Sequence, residues 1–183
     1  MPRPLRIFAV FCWYALLHLT VEYILGREGR SNQWLIDIQQ FVELAVVLWI
    51  YGEASAQRLF RTILRMITAG YGLLWIYVET VAAEPDQFTE VTSVAAMLVL
   101  ISASVYVLQS LIRRDEDRPS DHAVYWIALG VLLYGAGTIV ITTFSNDFLA
   151  MGMDTFVAVW HINWGFTIVT NLLYARSFPC RLL

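Results

Sequence analysis

Lysine is absent from this chain of 183 residues, and all twelve basic residues are arginine. That absence excludes chemistry needing a lysine amine, such as a retinal or pyridoxal Schiff base or a lysine-type phosphate loop. Cysteine is scarce as well. Cys12 lies inside an apolar run and Cys180 near the C-terminus. Such a pair reads as a small buried residue and a tail thiol, not as a disulfide framework or metal cluster. Charge is thin, at 15% of residues against about 25% in ordinary soluble domains. No serine–histidine pair, glycine-rich phosphate loop or cysteine cluster occurs, so the sequence argues against an enzyme.

Apolar residues fill the space, with 58% hydrophobic and 14% aromatic. They come in runs of about 20 separated by short charged breaks, and a helix of that length, rising about 1.5 Å per residue, matches a hydrocarbon core of about 30 Å. The pattern predicts an all-α integral membrane bundle of about six transmembrane helices in one transmembrane domain over 1–183. The spans are roughly 7–25, 34–52, 59–82, 89–112, 122–145 and 154–176. Gly52-Glu53, Glu84-Pro85-Asp86, Arg113 to Ser120 with Pro119, and Ser145-Asn146-Asp147 supply the breaks. The first span is too long for a signal-peptide core, and Gly26 to Arg30 offers no small-x-small cleavage site, so it is expected to be retained. Arg58, Arg61 and Arg65 make the start of the third span amphipathic.

Arginine placement predicts orientation. With the N-terminus inside, ten arginines fall in cytoplasmic segments and two, Arg27 and Arg30, fall outside. Losing one helix would invert half the loops and scramble that split. Both termini are therefore expected in the cytoplasm. Trp34, Tyr125 and Trp126 sit at expected boundaries, as interfacial aromatics should. In the fifth span Gly130 and Gly137 share a face with Gly135 nearby, which reads as close helix packing. No internal repeat supports an inverted-repeat transporter.

Ionisable groups inside a bilayer are costly and so become functional candidates. His18 and Glu22, four residues apart, share a face in the outer half of the first span. Asp37 falls near the outer boundary of the second, with Gln40 deeper and Glu43 near the midplane. Glu79 falls in the outer half of the third, and His161 and Asn163 in the outer third of the sixth. The inner half has only hydroxyls and Asn171. His18, Glu22, Gln40, Glu43, Glu79, His161 and Asn163 are thus expected around one outward-facing pocket. The plainer reading is that they are hydrogen-bonded glue between helices.

No cofactor is expected. His18 and His161 lie at similar depth, as a bis-histidine haem requires, and with Glu22 and Glu79 they have ligand chemistry for zinc or iron. Yet His161 lies about 100° around its helix from the polar stripe of Asn163, Thr167, Asn171 and Tyr174. The acids between Arg113 and His122 could hold magnesium, but mixed-sign runs are usually solvated loops.

The phrases Ile38-Gln39-Gln40-Phe41-Val42-Glu43, Tyr125 to Tyr134, and Trp160-His161-Ile162-Asn163 through Asn171-Leu172-Leu173-Tyr174-Ala175 resemble a group of small bacterial polytopic membrane proteins. Members of that group also occur as membrane parts of sensor histidine kinases. The resemblance implies that Glu43, Tyr134, His161 and Asn171 match the group's recurring polar positions, with Tyr134 and Asn171 structural. It also implies a multi-pass protein of the bacterial inner membrane. The expectation is a sensor or receptor-like module signalling through a protein partner or a homo-oligomer, in contact with the lipid bilayer and not with nucleic acid. The alternatives are a small-solute channel or transporter, for which the inner half is poor in polar groups, and a structural subunit of a larger membrane complex.

Overall fold

A computed structural model describes residues 2–27, 33–82, 90–113 and 118–181. The chain runs α1 (Arg3–Arg27), α2 (Gln33–Ala54), α3 (Arg58–Tyr77), α4 (Glu90–Ile112), α5 (Ala123–Thr143), α6 (Ser145–Ala150) and α7 (Met153–Ser177). A π-helical turn, Val78–Ala82, continues α3, and a single 3-10 turn, Pro119–Asp121, precedes α5. No strand occurs among the described residues. All of these helices except the short α6 are long and apolar enough to cross a membrane. Over the described residues the protein is all-α, a multi-pass membrane protein with six such spans.

One expected break differs. Ser145-Asn146-Asp147 begins α6 instead of forming a loop. Phe144, between α5 and α6, leaves helical geometry, and the Ser145 hydroxyl donates back to the Ile141 carbonyl at 2.8 Å, so the chain resumes as helix at once. Gly152 ends the excursion with φ of 120°, a conformation that glycine adopts without steric cost. The third span, expected to run to 82 as one helix, changes to π geometry at Val78.

The contacts divide the chain into two compact units, Met1–Ala96 and Met97–Leu183. In the first unit α2 packs on both α1 and α3. The Phe41 ring stacks on Tyr71 and Trp75, with centroids 6.2 and 5.6 Å apart, which fixes α2 against α3. The Tyr71 hydroxyl donates to the Thr92 carbonyl at 3.3 Å, bringing in the first turn of α4. At the α2–α3 corner Arg61 donates through Nε to the Gly52 carbonyl (3.1 Å) and through Nη2 to the Ser55 carbonyl (3.3 Å). Those carbonyls lie in the last turn of α2 and just beyond it, where helical partners run out.

In the second unit α5 packs along α7. A Cβ on Gly130 would lie 2.8 Å from the Tyr174 ring, and one on Gly137 would lie 2.6 Å from the Phe166 ring. The missing side chains let the two helices approach, and the Thr170 hydroxyl donates to the Gly130 carbonyl at 3.2 Å across the seam. Lipid removes the hydrophobic drive between spanning helices, so such packing and hydrogen bonds carry the association. The C-terminal tail docks on the approach to α5. Arg181 N donates to the Asp121 carbonyl at 3.0 Å, and the Arg176 guanidinium lies 5.7 Å from the centroid of Trp126.

Candidate functional site

In a helical hairpin the end of one helix meets the start of the next, and that geometry brings His18 of α1 to the first turn of α2. His18 is 6% exposed, and its Nε2 donates to the Leu35 carbonyl at 2.7 Å. Its Nδ1 has no hydrogen-bond partner and lies 4.0 Å from Glu22 Oε2, one turn further along α1. The Tyr14 ring, one turn earlier, lies 5.9 Å from the imidazole. Glu22 is half-buried. His18 and Glu22 therefore do face one another, as their spacing predicts.

Asp37, expected near the outer membrane boundary, is the fifth residue of α2 and is 2% exposed, two residues beyond the Leu35 carbonyl that holds His18. Its burial had a signal in the sequence, because Asp37 and Gln40 are three residues apart and share a face of α2. Gln40 itself makes a reciprocal pair with Ser93 of α4: Ser93 Oγ donates to Oε1 at 2.8 Å and Nε2 donates to the Ser93 carbonyl at 3.4 Å. Ser93 was not legible as a site residue, since a serine in an apolar run carries no directional signal. Glu43 is half-buried further down α2, within electrostatic reach of Cys12 of α1. The Glu79 side chain lies outside the described residues, although its backbone belongs to the π-helical turn.

On α7, in the second unit, His161 is exposed with its ring edge-on to Trp164 at 5.2 Å. Asn163 is half-buried, and its Oδ1 is a buried atom with no hydrogen-bond partner. Asn171 is exposed, whereas its neighbour Thr170 makes the contact to α5. Tyr134 is half-buried and its carbonyl accepts the Thr138 hydroxyl at 2.7 Å. Of the residues expected around one pocket, His18 and Glu22 of α1 meet at the start of α2, Gln40 pairs with Ser93, and His161 stands on an exposed helix surface.

Among the described residues, no three His, Cys, Asp or Glu side chains are grouped so as to hold a metal ion. What the α1–α2 cluster can do is exchange a proton or accept a donor. It combines a buried imidazole nitrogen with a free lone pair and a carboxylate at 4.0 Å. No protein-family model, curated protein or solved structure matches this chain.

Proposed function

We propose that this chain is a membrane sensor or receptor-like module of the bacterial inner membrane, with both termini in the cytoplasm and its polar α1–α2 cluster open to the outer side. The observation that supports this reading is the half-satisfied His18: Nε2 is anchored on α2 while Nδ1, buried, faces Glu22 without a hydrogen bond. A proton or a donor group arriving at Nδ1 would convert that 4.0 Å contact into a charge-assisted interaction. Because the same ring is tied to Leu35, the change would bear on how α1 meets α2. Imidazole is the side chain suited to respond near neutral pH. Tyr14 and Glu22 on α1 and Asp37 on α2 are the other titratable groups of this region. Output through a partner is supported by α7, whose exposed His161 and Asn171 present polar groups that hydrocarbon does not solvate.

The test uses the protein reconstituted in liposomes, with tryptophan fluorescence followed as external pH steps from about 7.5 to about 5.5, around the ordinary histidine range. A reversible change in wild type that His18→Gln abolishes is the expected result. A wild type without a response, or a response unaltered in His18→Gln, would sink the reading. Acidification of the liposome lumen in the same experiment would instead favour a transporter.

A further inference from the structure

The first unit carries a second feature, remote in chemistry from the polar cluster. A groove of about 640 Å3 runs between α2 and α3, within the span of about 300–1,000 Å3 typical of ligand sites. Its walls are Phe41, Leu48 and Trp49 on one side and Leu64, Gly72 and Ile76 on the other. Phe41 is held rigid by its stacking on Tyr71 and Trp75. Gly72 keeps the groove deep, since a Cβ there would already lie 3.3 Å from the Phe41 ring.

Only one end is charged, and its lining residues are Arg61, Arg65 and Glu53. Arg61 uses Nε and Nη2 on backbone carbonyls, and its other N–H donors have no partner among the described residues. Arg65 is 65% exposed and meets Glu53 only at 3.7 Å, a solvated contact of small value. Two guanidinium groups against one carboxylate leave this end positive, and free guanidinium donors match phosphate oxygens.

Length supplies the third constraint. From Arg65 to Ile76 is eleven residues of α3 and its lining face, or about 16 Å along the axis. Half of a hydrocarbon core of about 30 Å is nearly the same distance. An apolar trough one leaflet deep, closed by a positive end with spare donors, has the dimensions and charge pattern of a single phospholipid.

We infer that the α2–α3 groove is a binding site for an anionic glycerophospholipid, with one acyl chain along Phe41 and Gly72 and the phosphate at Arg61 and Arg65. The inference does not depend on which leaflet this end occupies, nor on the sensor reading. Arg65 adds affinity for the anionic headgroup, whereas the apolar walls would accept the chain of any lipid.

Native mass spectrometry tests this on the full chain after extraction from vesicles containing equal phosphatidylglycerol and phosphatidylcholine. Wild type should retain one phosphatidylglycerol in preference to phosphatidylcholine. Arg65→Gln, at an exposed position outside the packed core, should reduce that preference about fivefold, the factor for one surface arginine near an anionic lipid. Ala69→Phe, exposed on the groove lining, should abolish retention of both lipids while the melting temperature stays near that of wild type. If Ala69→Phe fails to fold, Arg65→Gln alone decides the matter. Equal retention of the two lipids by wild type would overturn the proposal. So would a preference unchanged in Arg65→Gln, displacement of the lipid by millimolar inorganic phosphate alone, or a lipid-free dimer that Ala69→Phe dissociates.

Discussion

An imidazole nitrogen that donates to a backbone carbonyl must carry the proton there, so the 2.7 Å contact with Leu35 assigns His18 the tautomer with hydrogen on Nε2. Its Nδ1 then offers a lone pair, and Glu22 or an incoming group must supply the proton if the 4.0 Å gap is to close. The Leu35 carbonyl also lies in the first turn of α2, where it accepts the ordinary helical N–H bond. Losing His18 therefore costs one net hydrogen bond and does not strand a bare carbonyl. His18→Leu should destabilise the protein by about 0.5–1.5 kcal/mol, and thermal melts in detergent would measure it. His18→Gln, which retains a donor, should lose less. A His18→Leu protein as stable as wild type would mean that the contact carries no weight. Sequence spacing made the His18–Glu22 pair legible, because residues four apart share a helix face. The Leu35 carbonyl was not legible, since every residue has one and only the packing of α1 on α2 selects it.

Among the elements, α5 and α7 show how small residues replace the hydrophobic drive that lipid removes. Gly130 and Gly137 lie under Tyr174 and Phe166, and Tyr174 is itself buried, so its ring has little room to swing aside. Gly70 on α3 differs, because a Cβ there would meet nothing within 4 Å. Gly130→Val should destabilise by about 1–3 kcal/mol through overpacking. Gly70→Ala should be neutral or stabilise by up to about 1 kcal/mol, since alanine is the better helix former. Parallel unfolding curves in detergent would compare the two, and equal effects would show that the α5–α7 seam is not tightly packed. The seven-residue glycine interval predicted a packing face in sequence. That Thr170, and not the neighbouring Asn171, bonds the Gly130 carbonyl came only from the rotation of α7 against α5. One residue is about 100° on a helix, and no composition argument resolves that angle.

At the scale of the whole molecule, six spans and the ten-to-two arginine split predict one orientation. Reporter fusions at Asp86 and after Leu183 should read outside and inside respectively; an outside signal after Leu183 would reverse that assignment. The number of spans, their limits to within a few residues and the scarcity of charge were all determined by the sequence. The physical reason is that a bilayer imposes a length and a polarity on every crossing segment, and both are local properties of the chain. Only the tertiary structure decided which polar groups meet. It buried Asp37, paired Gln40 with Ser93, left His161 on an exposed surface and opened an apolar groove beside Arg61 and Arg65. Those outcomes depend on the rotation of each helix about its axis and on which neighbour it touches, quantities set by close packing between segments far apart in the chain.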